Sequence, residues 1–73
     1  MVELDLHGLK VAEAEKVFFD RLNTSRLAKS LEVVSFITGT GLIRERLLVL
    51  AKENDLYHYV PLANRGCVVI EFE

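Results

Sequence analysis

The sequence predicts a two-layer α/β sandwich of order β-α-β-α-β-β, with a mixed four-stranded sheet and both helices on one face. Three observations predict it. Apolar and polar residues alternate with period two near both ends of the chain, over Val2 to His7 and Cys67 to Phe72. Two stretches between them step by three and four residues, the stripe of an amphipathic helix. Glycines punctuate the changes of period at Gly8, at Gly39 and Gly41, and at Gly66.

The first strand, Val2 to His7, turns Val2, Leu4 and Leu6 inward and Glu3, Asp5 and His7 outward; Gly8 ends it. From Val11 the stripe Val11, Ala14, Phe18 and Leu22 marks a helix, with Glu13 and Glu15 in its first turn, where carboxylates favour the helix dipole. Asn23-Thr24-Ser25 lowers the propensity, so the helix is expected to loosen there, resume through Leu27 and Ala28, and end near Ser30. Val33 to Thr38, rich in β-branched and aromatic residues, is the second strand. After Thr38-Gly39-Thr40-Gly41, the positions Ile43, Leu47 and Leu50 mark a second helix from Leu42 to Glu53, stopped by Asn54-Asp55. Tyr57 to Leu62 is a third strand, which Pro61 places at an edge. Asn64-Arg65-Gly66 is a hairpin turn, and Cys67 to Phe72 is the fourth strand, with Val68, Ile70 and Phe72 inward. Right-handed crossovers make the first three strands parallel and put both helices on one face, and the hairpin reverses the last strand.

Residues 1–73 form a single domain, near the lower size limit for an unstapled core. The 51% hydrophobic and 27% charged content is that of a globular protein and not of a disordered tail. One cysteine, Cys67, excludes an intrachain disulfide and a cysteine-cluster zinc site, and fits the cytoplasm as compartment. No apolar run is long enough to span a membrane and no signal-peptide pattern leads the chain, so no membrane partner is expected. The net charge of −2 argues against a grip on nucleic acid by charge alone, while leaving room for a local basic patch. The pattern fits either a module of a larger protein or a free-standing one.

Parallel strands end at a common edge of the sheet, so His7-Gly8, Thr38–Gly41 and Asn64-Arg65-Gly66 converge where open α/β sheets bind ligands. Gly39 and Gly41 let a ligand approach the main chain, and the helix that follows offers free N–H groups to an anion, typically phosphate. Thr38 and Thr40 add hydroxyls. Arg44 sits in the first helical turn, where a cation opposes the dipole unless an anion answers it, and Lys10 and Arg65 reach in from the neighbouring loops. Each feature has an ordinary counterpart: Thr-Gly-x-Gly turns are common, Asp-x-His on a strand can be two solvated residues, and single surface cations need no explanation. His58 reads as a strand-face residue and Cys67 as a small residue beside a turn. Tyr57 and Tyr59 have rings able to stack on bases, but as strand residues they read as packing or partner surface. Convergence distinguishes the sheet edge from these alternatives.

The segments Leu4-Asp5-Leu6-His7-Gly8 and Thr38-Gly39-Thr40-Gly41, followed by Gly66 before the last strand, resemble the Smr (small MutS-related) domain family across essentially the whole chain. That resemblance implies the same β-α-β-α-β-β sandwich, nucleic-acid binding to DNA or RNA, and in many members endonuclease or nicking activity. It places Asp5 and His7 in the first motif as catalytic candidates, and Thr38, Gly39 and Gly41 in the second. The insertion that many members carry after the second motif is absent, and the turn before the last strand holds one glycine where many have more. The expected chemistry is phosphodiester cleavage. The Thr38–Gly41 main chain and Arg44 would hold the phosphate. His7 would act as general acid or base. Asp5 would either orient His7 or hold a weakly bound divalent ion such as magnesium shared with the substrate. Two further readings stand beside it: a non-catalytic module that binds nucleic-acid structure and targets a larger protein, and a protein-interaction domain using the edge strand Tyr57–Val60.

Overall fold

A computed structural model describes residues 1–73. The elements are β1 Val2–Asp5, α1 Val11–Ala28, β2 Glu32–Ile37, α2 Leu42–Glu53, β3 His58–Tyr59 and β4 Cys67–Phe72. The strands lie in the spatial order β1-β2-β4-β3. β1 pairs parallel with β2, with Val2 opposite Val34 and Asp5 opposite Ile37. β4 is antiparallel to β2, and β3 antiparallel to β4, so β3 runs the same way as β1 and β2. The α/β sandwich expected from the periodicity is therefore the fold, with β2 and β4 at its centre.

Both helices cover one face of the sheet. Ala14, Phe18 and Leu22 of α1 and Ile43, Leu47, Leu50 and Ala51 of α2 enclose Val34, Phe36, Val68, Ile70 and Phe72 in one core. The aromatic rings set its centre: Phe72 lies 5.3 Å from Phe18 and 6.0 Å from Phe36, ring centre to ring centre. Tilted contacts of this kind add about 0.5–1.5 kcal/mol to what burial alone contributes. The ion pair of Arg46 with Glu15 ties α2 to α1 beside the core.

Four expectations need correction in detail. Helix α1 does not loosen at Asn23-Thr24-Ser25, because Ser25 is buried and its hydroxyl has two main-chain oxygens to serve, Ser30 O at 2.6 Å and Phe72 O at 2.9 Å. One helical position thus anchors the end of β4 and the exit from its own helix. The helix stops at Ala28, where Lys29 takes the left-handed conformation at φ 51° and Ser30 N bonds back to Ser25 O. The first strand stops at Asp5, so His7 is not part of the alternation. The second begins and ends one residue earlier than expected. The third shrinks to His58–Tyr59: Pro61 has no N–H to give to the ladder, and its carbonyl instead accepts from Asn64 N in a turn.

Candidate phosphate-binding site

Three loops meet at the edge where β1 and β2 end and β4 begins. After Asp5 the chain stays against β2 for one more residue, through Leu6 N to Ile37 O at 2.8 Å, with the Leu6 side chain in the core. It then reverses. Leu9 N bonds to Leu6 O, and Gly8 at φ +87° supplies the positive dihedral that this turn needs. The Asp5 carboxylate accepts from the His7 main-chain N–H at 3.0 Å, so it shapes the turn. His7 presents an exposed imidazole with no protein partner. The expected carboxylate–imidazole pair is therefore not formed: Asp5 holds His7 by its main chain and leaves the ring free.

The second and third loops are bonded into one unit. Gly66 O accepts from Thr38 N at 2.8 Å and Gly39 N at 3.0 Å. The Thr38 hydroxyl lies 2.8 Å from Gly39 O and 3.2 Å from Gly66 O, and Thr38 is buried. That hydroxyl faces the carbonyls of its own loop and of the loop opposite. A side chain at Gly66 would begin 3.5 Å from Gly39 Cα, so the two loops touch through their main chains. The Asn64 carboxamide accepts from Gly66 N at 3.2 Å and shapes the turn, a contribution the sequence signals only through the preference of asparagine for turns.

Arg44 also takes a different part from the one expected. Its guanidinium donates to Arg65 O at 2.8 Å, fastening the third loop to the first turn of α2, while its Nε is buried without a partner. The cation in the unfavourable first turn thus answers a carbonyl in the loop opposite.

A run of unsatisfied donors remains. Gly39 turns the chain at φ +73°, and Gly41 caps α2 without any side-chain hydrogen bond. The main-chain N–H groups of Thr40, Gly41, Leu42, Ile43 and Arg44 have no acceptor in the protein; the first hydrogen bond of the helix is Glu45 N to Gly41 O. Successive N–H groups of this kind, at the positive end of a helix dipole, suit an anion. The Thr40 hydroxyl is exposed beside them. Lys10 and Arg65 are exposed and take part in none of the three ion pairs, which engage Lys16, Arg21 and Arg46. Lys10 is the N-cap of α1, its N–H bonded to the Glu13 carboxylate at 2.8 Å.

No group of three or more His, Cys, Asp or Glu side chains comes together, and one Asp5 oxygen is already engaged by His7 N. What the edge offers is main-chain N–H groups, flanking cations and one free imidazole. No helix is long and apolar enough to cross a membrane. No protein-family model, curated protein or solved structure matches this chain.

Proposed function

We propose that this chain is a cytoplasmic nucleic-acid-binding domain of the Smr type that grips a phosphodiester at the loop edge of its sheet and nicks it. The observation that carries the reading is the unbroken run of free main-chain N–H groups from Thr40 to Arg44, set between two loops that carry Arg65, Lys10 and His7. These groups are fixed by the fold, so they can stabilise charge growing on a phosphate without reorganising. His7 supplies the proton chemistry: its ring takes a proton from the attacking water or hydroxyl, or gives one to the departing oxygen, as the P–O bond breaks. The paired motifs support this reading, and the buried, single Cys67 suits a reducing compartment. A nicking assay on single-stranded RNA, duplex DNA and branched DNA, with and without magnesium, tests it. His7→Ala abolishes cleavage while leaving binding intact; equal cleavage by the variant refutes the mechanism.

One observation favours a second reading, binding without cleavage. The Asp5 carboxylate is spent on the main chain of His7, so no second group is seen to hold the imidazole for proton transfer. On this reading the domain binds nucleic-acid structure with an affinity that falls as salt rises. No nick appears with any metal.

A further inference from the structure

The proposed phosphate site uses one edge of the sheet. No helix covers the face of the sheet opposite α1 and α2; Ser35, Cys67 and Val69 in its middle are buried among their neighbours, and the chemistry of the residues around them differs from that of the rest of the molecule. The pairing registers define it. One row runs Glu3, Ser35, Val69, Tyr59 across all four strands. The rows on either side place Asp5 and Ile37 with Cys67, and Val33 with Glu71. Tyr57 continues the last of these, since Glu71 N bonds to Tyr57 O and its ring stands 5.9 Å from that of Tyr59.

Two properties distinguish this face. It carries exposed aromatic area, with Tyr57 62% and Tyr59 43% exposed beside half-buried Val33 and Ile37. It also carries charge of one sign. None of the nine lysines and arginines lies in a strand, and every ion pair belongs to the helical side. The exposed Glu3 and the half-buried Glu71 take part in no ion pair, and the exposed Asp5 accepts only from the His7 main chain. Exposed tyrosines over an apolar floor are the composition of a protein interface. The acids decide what kind of partner fits.

We propose that the open face docks a segment of a partner protein whose apolar residues are flanked by lysine or arginine. Apolar side chains settle on Val33, Ile37 and the tyrosine rings, and the flanking cations meet Glu3 and Glu71. The same charges exclude the other occupants. A second copy stacked face to face would set these acids against themselves, and a nucleic acid would bring its phosphates to them. The face and the loop edge thus serve partners of opposite charge.

The test is a titration of the isotope-labelled chain, read by amide chemical shifts, with a synthetic amphipathic peptide carrying a leucine stripe between lysines. A matched peptide with glutamates for lysines is the control. Shifts are expected along Glu3, Ser35, Val69 and Tyr59 with the lysine peptide and not with the glutamate peptide. Glu71→Lys weakens binding about tenfold. Tyr59→Ser, at the exposed edge strand, weakens it similarly, and a native-like amide spectrum shows that each variant is folded. The proposal is overturned by equal response to both peptides, by shifts confined to the loop edge or the helices, or by no shifts. It is also overturned if the same row shifts with protein concentration alone, which would place a second copy there.

Discussion

Replacing Thr38 by valine separates a structural threonine from a ligand-binding one. Valine keeps the shape and removes the hydroxyl, which lies 2.8 Å from Gly39 O and 3.2 Å from Gly66 O. Gly66 O retains its bonds from Thr38 N and Gly39 N, so the loss falls mainly on Gly39 O. One hydrogen bond contributes about 1 kcal/mol net, rising toward about 2 kcal/mol if the abandoned carbonyl is held from water. Thr38 is only 6% exposed, which favours the upper part of that range. For 73 residues the entropy of unfolding is about 150 cal/mol/K, so each kcal/mol lowers the melting temperature by about 6–7 °C. The expected fall is therefore about 6–13 °C, measured by calorimetry and by a urea midpoint with unchanged m-value. Affinity for an oligonucleotide, measured well below the melting temperature, is expected to stay within about twofold, because that hydroxyl is turned to the carbonyls of Gly39 and Gly66. A variant with unaltered stability and reduced affinity would refute this assignment.

Other substitutions test the rest of the framework. Lys29→Gly relieves a left-handed residue at the end of α1, φ 51°, and is expected to stabilise the chain by about 0.5–1 kcal/mol in urea denaturation. Phe18→Ala removes a ring with no exposed surface that contacts Phe72 and is expected to lower the stability measured in urea by about 3–5 kcal/mol, a large share of the total of about 4–11 kcal/mol expected for this size. Ser25→Ala strips the shared partner from Ser30 O and Phe72 O and lowers the urea midpoint by an amount equivalent to about 1–3 kcal/mol, although alanine is the better helix former.

The parts of the fold that burial dictates were legible from the sequence. Ile43, Leu47 and Leu50 marked α2 with the bounds it has, and the alternation of Val68, Ile70 and Phe72 identified the core face of β4. The convergence of the glycine loops followed from topology and is seen in the bonds of Thr38 and Gly39 to Gly66. What the pattern did not reveal was where polar side chains spend their hydrogen bonds. Asp5 alternates correctly for a strand, yet its carboxylate competes for the His7 main chain and ends the strand there. Thr38 and Arg44 occupy the positions of ligand donors and instead satisfy carbonyls of the adjoining loop. Ser25 reads as a helix weakener until its two distant acceptors are known. Each of these choices depends on a partner many residues away, or on competition between neighbours, which periodicity does not encode.

The proposed function requires the free N–H run at the start of α2 to receive a nucleic-acid phosphate. The most direct measurement is an amide-resolved titration of the labelled chain with a short single-stranded oligonucleotide at low salt. The amides of Thr40, Gly41, Leu42, Ile43 and Arg44 are expected to shift together, with Lys10, His7 and Arg65 following, and the shifts to fade as salt is raised. Saturable binding that leaves those five amides unmoved would place the phosphate elsewhere and refute the proposed site.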